Sequence, residues 1–386
     1  MDRVASQIEA QADAAAGAGR LADARGLLER AVRETPRRVE TWLKLSAMCR
    51  ATGDLDSALT AVSRALALDP LDLSALLMRA MLLEKTGDEA GAGEAYGHAL
   101  AQRPEGEPPP GLAPMLAHAE QRYRRFQQEI LARLKGGTAA AAGATGEEQA
   151  RIDRFCTNVA RITRPYGQEP SHFAYPGLPP IEFHDRAHFP WLAEIEAAAE
   201  TIRGEFDALI ESEAAELVPY IQYPDDVPLR QWESLNRSRS WTAVHLLQNG
   251  NRIERNARHC PATMALLARL PQPDVPGASP NAMFSLLAPR TRIPAHTGVA
   301  NTRLVCHLPL IVPPGCGFRV GAETRPWEPG RAFVFDDTIE HEAWNDSGEL
   351  RVVFIFDVWA WALSDAERRA VAAIMPRSAA PAAAAL

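Results

Sequence analysis

Two histidines and two arginines in one stretch of the chain have the types and spacing of a small catalytic site. His296 and His341 lie 45 positions apart, each in a turn-like segment beside a β-rich run. Each is followed by an arginine inside such a run, Arg303 and Arg351 respectively. Neutral imidazoles are ligands for Fe, Zn, Cu or Ni, and guanidinium groups pair with carboxylates in a bidentate geometry. The pattern therefore predicts a metal centre beside a carboxylate-binding pocket.

The apolar run that contains Arg303 also contains a third histidine, His307, on the same face of the predicted strand as Arg303. Side chains alternate along a strand, so Arg303, Val305 and His307 share one face. An arginine and a histidine are costly to bury among apolar residues without a charged partner. Together with Arg351 they predict a cationic pocket, and a dicarboxylate is its natural occupant.

A carboxylate often completes a two-histidine iron site, but the residue two positions after His296 is Gly298. Four acidic residues flank His341 instead: Asp336, Asp337, Glu340 and Glu342. One of them can bind the metal, or they can hydrogen-bond to the imidazole as supporting groups. Of the four, we expect Asp337 to orient His341.

Composition and charge exclude several classes of protein. The net charge of −8 argues against general binding to nucleic acid or anionic lipid. The five cysteines are an odd number without a C-x-x-C pair, which predicts reduced thiols in a cytosolic protein. The start has no apolar signal core, and no apolar run is long enough to cross a bilayer. We therefore expect a cytoplasmic protein with neither nucleic acid nor membrane as a partner.

Residues 1–105 repeat with a period of 34 positions. Small residues and prolines recur at that spacing: Gly19, Gly53 and Gly87; Ala24, Ala58 and Ala92; Ala31, Ala65 and Ala99; Pro36, Pro70 and Pro104. The pattern resembles the tetratricopeptide repeat, a helix–turn–helix unit of the same length. Stacked repeats form a concave surface, so we expect recognition of a protein or peptide, or else packing against the rest of the chain or a second copy.

The remainder of the chain divides by composition. Residues 106–150 read as a Pro-, Ala- and Gly-rich connector with one helix. Between residues 151 and 375, short β-branched and aromatic segments separated by turn residues predict an antiparallel sandwich or barrel. Residues 376–386 are predicted to be a disordered tail. The expected fold class is α+β multidomain, with helical repeats followed by a sheet domain.

Residues 170–375 resemble the aspartyl/asparaginyl β-hydroxylase family of Fe(II)- and 2-oxoglutarate-dependent oxygenases. The resemblance rests on five segments in family order: FSLLAPRTRIPAHTG, NTRLVCHLPLIVP, WEPG, VFDDTIEHEAWN and LRVVFIFDVW. It implies a double-stranded β-helix, or jelly roll, and preceding helical repeats are typical of the family. It also implies that O2 is used to hydroxylate a C–H bond, with succinate and CO2 as co-products. The implied substrate is the β-carbon of an Asp- or Asn-like residue in a peptide, protein or amino acid.

The resemblance also assigns roles by position. His296 and His341 match the iron ligands. Arg351 matches the arginine that pairs with the distal carboxylate of 2-oxoglutarate, and Ser285 matches a hydroxyl that hydrogen-bonds the same group. His307 is expected to contact the 1-carboxylate.

Two further arginines have less defined roles. Arg303 is expected to face the substrate or co-substrate pocket. Arg252 is the candidate for a substrate carboxylate, with Arg255 as the alternative. Val305 stands where some members carry a second arginine, so that arginine is not available here to help hold the 1-carboxylate. Gly298 is not a departure, because the family uses a two-histidine iron site in which water fills the gap.

Two other functions remain open. One is a repeat scaffold whose oxygenase domain is inactive. The other is a halogenase, because two-histidine sites with glycine at the acid position accept halide in other oxygenases.

Overall fold

The computed structural model describes residues 2–104, 106, 108, 111–138, 143–212, 214–224, 226 and 228–375. The chain separates into two compact units, Met1–Thr163 and Arg164–Leu386. The division falls after Thr163 and not near residue 150, because the helix at Gly146–Val159 packs on the helix at Ala113–Gly137. The predicted tail, residues 376–386, lies outside the described residues.

The first unit is built from helices. Their bounds are α1 (Asp2–Gly17), α2 (Leu21–Glu34), α3 (Val39–Ala51), α4 (Leu55–Leu68), α5 (Leu73–Thr86), α6 (Glu89–Leu100), α7 (Ala113–Gly137) and α8 (Gly146–Val159). The first six pair as α1 with α2, α3 with α4 and α5 with α6, and α7 packs against α6. This is the stack of helical repeats that the period of 34 residues predicts.

The recurring small residues have the positions that a helical repeat requires. Gly53 and Gly87 adopt φ values of 84° at the turns between paired helices, a left-handed conformation that glycine adopts without strain. Ala58 and Ala65 are fully buried between helices. The glycines therefore close the turns, and the alanines permit the close approach of helices.

One helix contact in this unit depends on a missing side chain. A Cβ added at Gly93 in α6 would stand 2.2 Å from Cγ of Phe126 in α7, whereas one added at Gly26 in α2 would meet nothing within 4 Å. We expect Gly93→Ala to destabilise the repeat unit by about 1–3 kcal/mol through overpacking. The matched Gly26→Ala change should stabilise it by about 0.5–1 kcal/mol. Denaturant unfolding followed by far-ultraviolet circular dichroism measures both, and equal effects would contradict the packing.

The second unit carries five α-helices within its described residues. These are α9 (Leu192–Ala197), α10 (Ala199–Glu211), α11 (Glu254–Ala257), α12 (Pro261–Leu267) and α13 (Asp365–Ile374). The strands are β1 (Val218–Pro219), β2 (Trp241–Gln248), β3 (Asn251–Arg252), β4 (Ala282–Leu287), β5 (Thr291–His296), β6 (Arg303–Ile311), β7 (Cys316–Val320), β8 (Glu323–Arg325), β9 (Phe333–Phe335), β10 (His341–Asn345) and β11 (Arg351–Trp359).

These strands form two antiparallel sheets. The larger has the order β1-β2-β4-β11-β6-β9, with β3 paired to β2, and the smaller has the order β5-β10-β7-β8. The expected sheet-rich domain is therefore present, whereas the double-stranded β-helix itself stays a prediction. No helix in the part of the chain that the structure describes is long and apolar enough to cross a bilayer.

Two apolar cores lie on opposite faces of the larger sheet. Leu304, Cys306 and Leu308 of β6 pack in a core with residues of α9, α10 and α12. Val305, between them in sequence, packs instead with Phe318 of the smaller sheet. The alternation predicted along β6 is confirmed, and it directs Val305 and His307 toward the space between the sheets.

The two histidine segments were expected to be turn-like, and that expectation is wrong. His296 ends β5 and His341 begins β10, and these strands pair so that the two histidines lie opposite each other. The strands have only six and five residues, and β5 contains Pro294. Short strands interrupted by proline give little periodic signal, and pairing within the sheet decides their conformation.

Candidate active site

Between the two sheets of the second unit lies a cavity of about 500 Å³, a volume that includes its open mouth. Its wall combines a few polar groups with a mainly apolar and aromatic lining: Tyr220, Trp241, Ser285, Ile293, His296, Val305, His307, Phe318, Trp327, Phe335, Asp337, His341, Ala343, Arg351 and Ile355. Convergent polar groups in an apolar cavity are typical of a ligand site.

His296 and His341 come together on the smaller sheet. Their register pairing on adjacent strands directs both side chains to one face, and their ring centroids are 4.0 Å apart. Burial lowers the pKa of His341 to about 4, and burial followed by the neighbouring His341 lowers the pKa of His296 well below its usual value. Both rings are therefore neutral at pH 7, the state in which an imidazole binds a metal.

Backbone carbonyls fix the tautomer of both rings in the same way. Nδ1 of His296 lies 2.8 Å from the Pro294 carbonyl oxygen, and Nδ1 of His341 lies 3.0 Å from that of Ile339. A carbonyl oxygen only accepts hydrogen bonds, so each Nδ1 donates and each Nε2 keeps its lone pair. Among the described residues no group of three or more His, Cys, Asp or Glu could hold a metal. The donor set here is therefore two imidazoles, which fits a metal that keeps open positions for other ligands.

Arg351 supplies an unpaired positive charge to the cavity. Its side chain is 1% exposed, and its Nη1 donates to the backbone oxygen and to Oγ of Ser285 at 3.3 and 3.4 Å. Its Nε has no hydrogen-bond partner, and no carboxylate of the described residues forms an ion pair with it. Burial lowers the pKa of Arg351 to about 10, so the group remains charged at pH 7. A buried cation without an anion is an arrangement that a carboxylate ligand would complete.

Ser285 links Arg351 to an aromatic wall that sequence reasoning missed. The indole Nε1 of Trp241 donates to Ser285 Oγ at 3.1 Å, and Tyr220 stacks on Trp241 with a centroid distance of 3.7 Å. Trp241 begins a recognisable strand, but nothing in the sequence shows which face it occupies. Only the pairing of β2 with β4 brings it to Ser285.

His307 also reaches the cavity, as predicted from its strand. Its Nδ1 accepts from Nε1 of Trp327 at 3.4 Å, and Trp327 also lies beneath the guanidinium of Arg351 at 4.6 Å. Burial lowers the pKa of His307 well below its usual value, with further lowering by Arg351. Trp327 is a second residue whose function the sequence alone did not indicate, although its WEPG turn was among the matching segments.

Arg303 is not among the residues that line the cavity. Its Nη2 lies 3.1 Å from Oδ2 of Asp337, and both side chains are more than nine-tenths buried. Burial raises the pKa of Asp337, and Arg303 opposes that shift. Asp337 was expected to orient His341, but its carboxylate pairs with Arg303, and the Ile339 carbonyl holds the His341 ring instead.

Arg252 lies away from the cavity-lining residues. It is exposed on the short strand β3, where its Nε pairs with Glu254 at 2.8 Å. Arg255, the alternative, donates from Nε to the Ala214 carbonyl and is also exposed. The structure therefore brings together His296, His341, Ser285, His307 and Arg351, and it separates both candidates for a substrate carboxylate from them.

Gly298 stands two positions after His296, where a carboxylate completes many two-histidine iron sites. A Cβ added there would stand 2.2 Å from Oδ2 and 2.4 Å from Cγ of Asp337. The carboxylate of Asp337 thus fills the space that a side chain at position 298 would need.

We expect Gly298→Asp to destabilise the domain by about 2–4 kcal/mol, because the new side chain overpacks the site and adds a second buried carboxylate. Gly298→Ala, which has the clash without the charge, should cost about 1–3 kcal/mol. Urea unfolding of both variants measures the difference. A Gly298→Asp protein as stable as the wild type would contradict the position of Asp337.

Comparison with known proteins assigns the class. Residues 196–360 match the family model described as aspartyl/asparaginyl beta-hydroxylase, and residues 9–70 and 50–107 match the tetratricopeptide repeat. The second unit therefore contains a domain that matches the aspartyl/asparaginyl β-hydroxylase family model, and segments that match the tetratricopeptide repeat precede it. The matched range contains every residue that lines the cavity.

Its relatives are hydroxylases and hydroxylase-domain proteins. The human aspartyl/asparaginyl beta-hydroxylase is 38% identical over 144 residues, 37% of this chain and 19% of that protein. The ornithine lipid ester-linked acyl 2-hydroxylase of Rhizobium tropici is 36% identical over 188 residues, 48% of this chain and 62% of that protein. The human aspartate beta-hydroxylase domain-containing protein 2 is 33% identical over 213 residues, 54% of this chain and 55% of that protein. The chain spans less than two thirds of each of these relatives.

Proposed function

We propose that this protein is an Fe(II)- and 2-oxoglutarate-dependent dioxygenase that hydroxylates a C–H bond of its substrate and forms succinate and CO2. The observation that carries the proposal is the buried guanidinium of Arg351, without a carboxylate partner among the described residues, in a cavity where His296 and His341 form a pair of neutral imidazoles. An unpaired buried ion carries a penalty of several kcal/mol. A dicarboxylate co-substrate offers one carboxylate to that cation and leaves the other for a metal.

The chain's own residues divide the binding between them. Arg351 and the Ser285 hydroxyl hold the distal carboxylate of 2-oxoglutarate, and Trp241 orients that hydroxyl by donating to it at 3.1 Å. His307 meets the 1-carboxylate end. Position 305 is a valine and offers no positive charge, so the 1-carboxylate of 2-oxoglutarate would be held by His307 and the metal.

His296 and His341 would hold Fe(II), through the Nε2 atoms that their hydrogen bonds to backbone carbonyls leave free. When bound, Fe(II) would supply the activation of O2, of which one oxygen atom goes to 2-oxoglutarate, giving succinate and CO2, and the other goes to the substrate carbon. The aromatic wall of Tyr220, Trp241 and Phe318 excludes water from the reacting groups. Arg303 acts indirectly in this scheme, by holding the Asp337 carboxylate beside Gly298.

For the substrate we propose an Asp- or Asn-like residue in a peptide, a protein or a free amino acid, which is what the family's name supports. A lipid acyl chain is the second candidate, since a relative that is 36% identical carries the name of an acyl 2-hydroxylase. The observation that favours the acyl chain is the mainly apolar cavity wall. Arg303 does not line the cavity and Arg351 is assigned to the co-substrate, so neither arginine is left to bind a substrate carboxylate. The repeats are proposed to bind a protein partner, and the cytoplasm is the proposed location.

The test is succinate formation by protein loaded anaerobically with Fe(II) and then exposed to O2 and 2-oxoglutarate. Peptides containing Asp or Asn, free amino acids and acyl-chain substrates are compared, and products are weighed by mass spectrometry. Substrate-stimulated succinate with a product one oxygen atom heavier supports the proposal and identifies the substrate class. A chlorinated product in the presence of chloride would support the halogenase. The absence of both turnover and 2-oxoglutarate binding would support the inactive scaffold.

A further inference from the structure

The indole of Trp327 connects the two residues that are assigned to opposite ends of the co-substrate. Trp327 lies in the loop between β8 and β9 and is 4% exposed. Its Nε1 donates to Nδ1 of His307 at 3.4 Å, and its ring faces the guanidinium of Arg351 at 4.6 Å. One side chain thus contacts both.

The hydrogen bond determines which nitrogen of His307 carries a proton. An indole N–H only donates, so Nδ1 of His307 must accept. The neutral ring then carries its proton on Nε2, the nitrogen that remains for a ligand. A carboxylate oxygen needs a donor, so the tautomer selected by Trp327 is the one that can bind it.

The ring face has a corresponding effect on Arg351. A guanidinium stacked on an indole gains about 0.5–2 kcal/mol and is restricted to one plane. The Ser285 oxygens hold its Nη1 at 3.3 and 3.4 Å, and its Nε has no hydrogen-bond partner. The group is therefore oriented before any ligand arrives, which lowers the entropic cost of binding.

Trp327 is itself held firmly. It stacks on Phe318 with a centroid distance of 5.3 Å and an interplanar angle of 19°. The turn that follows it is tied to β6, because the Gly330 N–H donates to the Pro309 carbonyl at 2.8 Å. Gly330 has a φ of 76°, a conformation suited to glycine. The indole is thus fixed relative to the strand that carries His307.

We infer that Trp327 is a positioning residue for 2-oxoglutarate, which selects the donor tautomer of His307 and orients the plane of Arg351. The inference rests on the proposed function, since it presumes that these two residues bind the co-substrate. It assigns to the WEPG turn a role in binding, in addition to its role in packing.

Trp327→Phe tests it, because phenylalanine keeps an aromatic face for Arg351 but removes the N–H. We expect the Kd for 2-oxoglutarate, measured by anaerobic calorimetry on the Fe(II)-loaded protein, to rise about fivefold, the effect of one neutral hydrogen bond. In metal-free protein, the ¹⁵N shifts of the His307 ring should show a mixture of tautomers in place of one. Trp327→Leu removes the face as well and should weaken binding roughly tenfold further. Trp191→Phe, at a tryptophan outside the cavity, is the control and should change neither quantity.

The outcomes separate this inference from the proposed function. If wild-type protein binds 2-oxoglutarate and Trp327→Phe binds it within twofold, with the His307 tautomer unchanged, Trp327 is merely structural and the inference is overturned. If the wild type itself does not bind 2-oxoglutarate, the proposed function fails and the inference fails with it. Should Trp327→Leu not fold, the phenylalanine variant and the ring ¹⁵N shifts still decide the question.

Discussion

Replacing Arg351 with methionine is expected to weaken 2-oxoglutarate binding by about 100-fold or more without unfolding the protein. A charged partner of a buried ion pair is typically worth 2–5 kcal/mol in binding, which is the basis of that magnitude. Methionine keeps most of the side-chain volume, and the cation that it removes has no ion-pair partner among the described residues. Replacement of an uncompensated buried charge by an apolar group of similar size is neutral or stabilising, so we expect an unchanged or higher midpoint of denaturation.

Anaerobic titration calorimetry and urea unfolding measure the two halves of that prediction. Arg292→Met is the matched control, because Arg292 is exposed and pairs with Asp346 at 2.7 Å. It should leave 2-oxoglutarate binding unchanged. Wild-type affinity in the Arg351→Met protein would remove Arg351 from its assigned role.

Replacing His341 with alanine should abolish stoichiometric iron binding. The rings of His296 and His341 are paired at 4.0 Å, and no group of three or more His, Cys, Asp or Glu among the described residues could hold a metal, so the single remaining ligand cannot hold Fe(II). We expect the apparent metal affinity to fall by more than about 100-fold, beyond the 10–100-fold typical of losing a supporting group. The fold should persist, since a neutral buried ring is lost and no charge is left unpaired.

Equilibrium dialysis against Fe(II) under argon, followed by elemental analysis, measures that loss. His184→Ala is the control: His184 is as buried as His341, at 7% exposure, but lines a different, smaller cavity. The control should retain one iron per chain. One tightly bound iron per chain in the His341→Ala protein would contradict the ligand assignment.

The sequence predicted the periodic parts of this structure well. The glycines and alanines spaced by 34 residues lie where a helical repeat needs them, because each repeat meets the same packing constraint. The alternation along β6 correctly separated Val305 and His307 from Leu304 and Leu308. Such patterns are local, so they can be read without knowing how the strands pair.

The parts that depended on strand pairing were predicted less well. The segments of His296 and His341 were interpreted as turns, because strands of six and five residues show too little alternation. Arg303 was expected to face the pocket, but it pairs with Asp337, 34 positions further along the chain. Trp241 and Trp327 reach Ser285 and His307 only through tertiary contacts, and a single sequence offers no sign of those.

The most direct test of this account is anaerobic calorimetric titration of 2-oxoglutarate into the wild-type protein with and without Fe(II). The cavity, with the paired neutral imidazoles of His296 and His341 and the unpaired guanidinium of Arg351, predicts one binding site per chain when Fe(II) is present and much weaker binding when it is absent. Failure of the Fe(II)-loaded protein to bind 2-oxoglutarate would contradict the account, and equal binding with and without Fe(II) would contradict the role given to His296 and His341.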